Sequence, residues 1–443
     1  MKKILYILIL FTFFACEKGK YRLEDLESVK QIAWVKNFGG SGDDSPRAII
    51  QTSDGGFAVF GFTNSTDGDL SNKTLGVNDY WLLKLDMDGN IQWQKTYGGS
   101  NDDRGQQVIQ TADGGYAITG YAMSDDGDGS NNQGFHDNWV LRLDTFGEIL
   151  WEKSFGFSGH DHSYDIVETP DGGLFFSGFL DVTSSNGEGS TDKSSGLTRH
   201  GVGEFWGTRL DADGNILWRK FFGGSNNDRS FGVINANDGG FILSGASESD
   251  DFDISNPKGS YDFWVVKVDK NGNFEWENSF GGSGIDQSYD ITRTADGNYV
   301  LVGNTFSSDT QVTKNNGESD IWLIKINDDG ELIWQHSYGG SSFDAAHSVS
   351  LTSNGGFIIS GNSRSSDKDA TVNQGENDFW MLTTDQNGKI LNEFSIGGTD
   401  LDFAYDAVEA NDGGIVLVGE TASSNFPKIG HNGGMDLVVL KIN

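Results

Sequence analysis

From residue 31 onward, apolar and polar positions alternate in short runs, and glycine-bearing turns separate the runs. One stretch shows the full pattern. "RGQQVIQTADGG" leads through an Asp-Gly-Gly turn into "YAITGYAMS"; a long polar loop follows, then "DNWVLRLD", a short "TFGE" turn and "ILWEKSFG". Alternation with a period of two puts every second side chain on one face of a strand, and tight glycine turns join antiparallel neighbours. Four such strands predict one antiparallel sheet.

The unit recurs. Its turn begins at Asp54, Asp113, Asp171, Asp238, Asp296, Asn354 and Asp412, at intervals of 58 or 59 residues except for one of 67. Seven four-stranded units in tandem predict an all-β, seven-bladed β-propeller over residues 31–443. A solenoid would use shorter repeats with capping ends. All 12 tryptophans obey the register. Trp81, Trp139, Trp206, Trp264, Trp322 and Trp380 fall in third strands; Trp34, Trp93, Trp151, Trp218, Trp276 and Trp334 fall in fourth strands. Each is expected to bury roughly 150–250 Å² between neighbouring blades. The repeat opens on a fourth strand, "IAWVKNFGG", and ends on a third, "DLVVLKIN". Residues 31–38 are therefore expected to complete the last blade and close the ring, leaving no open edge.

Composition narrows the class. Glycine supplies 62 of 443 residues and proline only 4, while aromatics reach 12%, enough to build a core around many tight turns. Asp and Glu outnumber Lys and Arg by 65 to 31, a formal net charge of −34, so nucleic acid is not an expected partner. The single cysteine, Cys16, allows no internal disulfide. It ends "MKKILYILILFTFFAC", two lysines followed by an apolar run too short to span a bilayer. The Ala-Cys end resembles the lipobox of bacterial lipoproteins. That resemblance implies a signal peptide over 1–15, lipidation of Cys16, a polar tether over 16–30, and attachment to the bacterial envelope at the outer membrane or cell surface. Membrane contact would run only through the lipid, and the propeller is expected to be monomeric.

The repeat "YGGSNDD…IQTADGGYAITGYAMS…DNWVLRLD…G…LW" resembles the SBBP repeat of secreted bacterial propellers, over residues 31–443. The last copy, "GETASSNFPKIGHNGGMDLVVLKIN", carries that family's Gly-x-Thr-x-Ser, Phe-Pro and Gly-Gly-x-Asp in order. The resemblance implies the fold and a secreted or surface setting. "KLDMDGNIQW" (84–93) looks like the tryptophan-docking motif of quinoprotein dehydrogenases, a packing device. The paired cysteines of that family are impossible here, and the Ser-x-Asp-x-Gly-x-Thr-Trp box of sialidases is absent.

In an antiparallel blade the short turns share one face, and the long second-to-third loops share the other with the Gly-Gly crossovers. Variable loops on a rigid scaffold are where binding residues sit. Two carboxylate rings map to that face. Asp44, Asp103, Asp161, Asp228, Asp286, Asp344 and Asp402 follow the crossovers; Asp79, Asp137, Glu204, Asp262, Asp320, Asp378 and Asp436 precede the third strands. Sevenfold repetition points to a structural turn role for the first ring, its oxygens accepting backbone N–H groups. In "DDGDGSNN", Asp126, Asp128 and Ser130 have the alternate spacing with which a loop wraps calcium.

One copy breaks the pattern. "GFSGHDHSYD" (156–165) replaces the second glycine by Phe157 and flanks Asp161 with His160 and His162. His136 ends the neighbouring loop, and His200 lies in the enlarged loop that stretched the interval to 67. Imidazoles beside a carboxylate suit zinc or another first-row metal, so His136, His160, Asp161, His162 and His200 are the candidate ligands. No cofactor is required by the pattern; calcium is the first cation it would take and a transition metal the second. The expected function is a non-catalytic binding scaffold for an extracellular glycan or protein, working through the long-loop face. The alternatives are an enzyme acting on extracellular polysaccharide, which needs a carboxylate pair, and a structural part of an envelope assembly.

Overall fold

The computed structural model describes residues 31–185, 188–190, 201 and 203–443. Cys16, the signal and tether segments, and His200 lie outside the described residues. Seven four-stranded antiparallel sheets stand side by side in a ring. Blades 1 to 6 each take four consecutive strands, from Asp44–Gln51 through Ile390–Ile396. Blade 7 takes three strands from the C-terminal end and a fourth, Ile32–Phe38, from the N-terminal end. That strand runs antiparallel to Asp436–Ile442, from Ile32 opposite Ile442 to Phe38 opposite Leu437. The ring is closed by backbone hydrogen bonds rather than left with two free edges.

The burial of each strand follows its distance from the axis. Second and third strands lie between two sheet neighbours and two neighbouring blades, so "FAVFGFT" and "DYWLLKL" are buried at every position. Fourth strands form the outer rim and are mostly half-exposed. The core is thus a series of inter-blade layers: Phe57, Val59, Trp81 and Leu83 of blade 1 pack on Val416, Val418 and Val439 of blade 7.

The tryptophans divide into two kinds. All six third-strand rings are fully buried. Of the fourth-strand rings only Trp218 is buried; the others are half-exposed and pack against the edges of the inter-blade layers. Five of the six, Trp34, Trp93, Trp151, Trp218 and Trp276, lie against the glycine of the next blade's short third-to-fourth turn, where a Cβ on Gly147 would sit 2.9 Å from Trp93. Trp151, Trp218 and Trp276 also donate their indole N–H, each at 3.1 Å, to a carbonyl in that turn. Blade 6 has Asn392 at this position, and the reason is topological. Blade 7 has no third-to-fourth turn, because Asn443 N–H there meets the Gln31 carbonyl across the chain ends at 3.2 Å.

On the short-turn face a third-strand cation ties down each charged Asp-Gly-Gly turn. Lys84–Asp54 (2.9 Å), Arg142–Asp113 (2.6 Å), Lys267–Asp238 (3.0 Å) and Lys325–Asp296 (2.8 Å) recur from blade to blade, with Arg209–Asp171 and Lys441–Asp412. Among the described residues, no helix is long and apolar enough to cross a membrane.

Candidate functional site

The seven inner strands line the central channel, and each slips register once, between the second and fourth residues after its leading Asp. A bulge adds one residue to the strand and re-aims its side chain. The seven bulge residues, Arg47, Gln106, Tyr164, Phe231, Tyr289, His347 and Tyr405, line a channel cavity of about 260 Å³. Five consecutive rings form a belt, from Tyr164–Phe231 at 5.0 Å through Phe231–Tyr289 and Tyr289–His347 to His347–Tyr405 at 5.3 Å. The Arg47 guanidinium continues it, 4.1 Å from the Tyr405 ring centre.

One residue further on, three buried aspartates bridge blades. Asp165 accepts the Val233 N–H of blade 4 at 2.7 Å, Asp290 the Val349 N–H of blade 6 at 2.8 Å, and Asp406 the Ile49 N–H of blade 1 at 2.9 Å. Each also accepts the N–H of its own following residue. Burial pushes Asp165 up to about 7 and Asp406 to about 6, and raises Asp290 as well. The receiving blades carry Gly232, Ser348 and Ala48 at the same position, small enough to let the neighbour's carboxylate in. These acids are latches between blades.

The two rings on the long-loop face lie buried, back to back. Asp44 accepts from Gly40 N–H (2.8 Å) and from Ser65 Oγ (2.9 Å), and Asp228, Asp286, Asp344 and Asp402 repeat the arrangement. Asp103 holds Gly99, Met123 and Ser124 N–H groups. In the second ring one oxygen of Asp137, Asp262, Asp320, Asp378 and Asp436 caps the loop before it. The other oxygen of the six aspartates of this ring, Asp79 included, is buried without a hydrogen-bond partner among the described residues. It faces a first-ring acid of the next blade: a Cβ on Gly397 would lie 2.4 Å from Asp378 and 2.7 Å from Asp402. Burial, with the neighbouring charge adding to it, pushes Asp79 and Asp378 up to about 7 and Asp262 and Asp320 to about 6.

Where blade 2 meets blade 3, this generic contact carries imidazoles. In each of the seven blades, the residue before the second-ring acid gives its carbonyl to the N–H of the next blade's first-ring acid. Here the bond runs from Asp161 N–H to His136 O at 2.8 Å, and His136 and His160 pair as neighbouring backbones. Their Nδ1 atoms are 2.8 Å apart, and His162 Nε2 is 3.2 Å from His136 Nδ1. One nitrogen from each of the three rings falls within 4.8 Å of the others, close enough for the rings to turn onto one metal ion. His162 stacks on Tyr121 (3.9 Å, 11°), and its Nδ1 is 3.3 Å from the Tyr164 hydroxyl, which places the trio at the channel mouth. Burial holds His136 down to about 4 and His162 to about 2, below the ordinary imidazole value, and the neighbouring imidazoles add to the shift.

Cations gather around the same mouth. Arg104 pairs with Asp102 at 2.8 Å and lies 5.3 Å from the Phe62 ring centre. Arg47, paired with Glu420 at 3.6 Å, covers the same ring at 4.9 Å, and Arg229 lies over Phe179 at 4.8 Å, exposed and without an ion pair among the described residues. The other predicted residues are placed elsewhere. Asp161 is turned inward onto Phe157 N–H (2.7 Å) and Asp181 N–H (2.9 Å), away from the imidazoles. Asp126 holds Ser100 N–H (2.8 Å), Asp128 reaches Gly98 N–H (3.3 Å) and Ser130 donates to Glu152 (2.6 Å), three separate partners.

The fold and this mouth define a seven-bladed propeller with one asymmetric sector. No protein-family model matches the chain, and no curated protein sequence does. Similar solved structures include a protein of unknown function from Bacteroides caccae, 11% identical, covering 76% of this chain and 93% of that one at a TM-score of 0.41. The Pan2 WD40 domain of Neurospora crassa is 10% identical, covering 91% and 90%, at a TM-score of 0.48.

Proposed function

We propose that this chain is a surface lipoprotein of the SBBP type that binds an acidic extracellular glycan at the long-loop mouth of its channel, without catalysis. One observation carries the reading. In a chain with a net charge of −34, Arg47, Arg104 and Arg229 converge on the mouth, each over an aromatic ring. Guanidiniums held over aromatic rings can offer their N–H groups to a carboxylate, and the aromatic belt beneath offers faces and hydroxyls to a sugar. The buried channel acids serve backbone N–H groups, which supports binding over hydrolysis.

The test is calorimetric titration with oligouronides and neutral oligosaccharides of equal length. Binding of the oligouronide alone is expected, weakened roughly tenfold by Arg104→Ala or Arg229→Ala, the loss of one charge-assisted hydrogen bond. Arg293→Ala, far from the mouth, leaves it unchanged. Equal affinity for both sugars, or no effect of either mouth variant, overturns the reading. The anchor has its own test: labelled palmitate should enter the wild-type chain in bacteria and not Cys16→Ser.

A further inference from the structure

We propose that His136, His160 and His162 form a three-histidine site for one divalent transition metal of the zinc class, with its fourth position open toward Arg229. This deepens the binding reading, but its geometry stands without that reading. A tetrahedral ion about 2.1 Å from each nitrogen spaces its ligands about 3.4 Å apart. The observed 2.8 Å and 3.2 Å separations lie on the short side of that edge and the third pair falls within 4.8 Å, so the rings must turn apart about His136 to admit the ion.

The scaffold supplies the rigidity that such a site needs. His136 and His160 are fixed by a backbone contact that every blade interface uses, with Phe135 and His136 N–H groups both on the Gly159 carbonyl (2.8 and 3.2 Å). His162 follows Asp161, whose carboxylate is locked into the crossover. The distal nitrogen of His162 meets Tyr164 Oη, the kind of outer partner that fixes ring orientation and tautomer in metal sites. Three imidazole nitrogens select a borderline first-row ion over calcium, which takes oxygen ligands. With no carboxylate among the three and Arg104 and Arg229 nearby, the fourth ligand that balances the charge is an anionic oxygen. A uronate carboxylate of the bound glycan would fill it.

The experiment is titration of the tag-free full chain with cobalt(II) and then zinc(II), without glycan, followed by visible absorption and elemental analysis. One ion per chain is expected, with the intense bands of four-coordinate cobalt that zinc abolishes. His160→Ala, at an exposed position, should keep the wild-type melting temperature and weaken binding at least ~100-fold, more than loss of an outer partner does. His136→Ala should do the same, whereas His347→Ala in the channel belt should bind normally. No saturable uptake by the wild type, or unchanged uptake by His160→Ala, overturns the site. Because no glycan is present, either outcome leaves the oligouronide titration to stand or fall by itself.

Discussion

The Asp165 carboxylate accepts the Val233 backbone N–H at 2.7 Å across the boundary between blades 3 and 4. Both residues are buried, with the channel cavity beside the carboxylate. Asp165→Ala orphans the Val233 N–H and should cost about 1–3 kcal/mol. Asp165→Asn keeps one acceptor oxygen and should cost less. Thermal melts of the two variants at pH 7 check the order; equal losses would mean that the bond contributes nothing.

The paired rings make stability depend on pH. Ten buried aspartates, Asp378 and Asp402 among them, sit at about 6 or 7 against an ordinary carboxyl near 4. A raised folded value stabilises below the unfolded one and loses that contribution as pH climbs through 6 and 7. His136, His162 and His347 are lowered and act oppositely, losing stability as pH falls from 6.5 toward 4. Ten groups outweigh three, so the melting temperature should be higher at pH 5.5 than at pH 8.

Asp378→Asn tests the cause. The amide mimics the protonated acid and can donate toward Asp402 while its oxygen still accepts Gln374 N–H. The variant should gain on the order of 1 kcal/mol at pH 8, little at pH 5.5. A parallel shift at both values would point to general charge repulsion instead.

Gly147 and Gly172 separate strain from docking. Both have positive φ, +77° and +78°, but only Gly147 has a tryptophan 2.9 Å from where a Cβ would stand; Gly172 has nothing within 4 Å. Gly172→Ala should cost about 1 kcal/mol from backbone strain. Gly147→Ala should cost more, because Trp93 must leave the turn. Denaturant titrations of both variants measure the difference.

Deleting residues 31–38 strips blade 7 of its outer strand and uncovers the Asp436–Ile442 edge. The shortened chain should melt well below the intact one and associate through the exposed edge. Light scattering and calorimetry would show both; an unchanged melt would mean that closure adds nothing.

Much of this was legible in the repeat. The spacing of the Asp-Gly-Gly turns predicts seven blades, and the phase of the two ends predicts the closing strand. The histidine contact was half legible: His136 and His160 each stand one residue before a ring acid, and those positions meet at every blade boundary. The channel lining was hidden, because the bulge shifts the alternation inside a strand that otherwise reads evenly. Tyr164, Tyr289 and Tyr405 looked like ordinary inner-strand residues, and Asp165, Asp290 and Asp406 like the acids of any acidic protein. The cations Lys84 and Arg142 were missed as partners of the turns because nothing local links them to Asp54 and Asp113.

The meeting of Gln31 with Asn443 has a geometric corollary. In the other blades this position is the short third-to-fourth turn, so Gln31 leaves the disc on the side of the Asp-Gly-Gly turns. His136, His160 and His162 open on the other side. With the proposed anchor on the Gln31 side, the imidazoles would face away from it, and the opposite face shows the exposed aspartates of the turns with their partner lysines buried beneath.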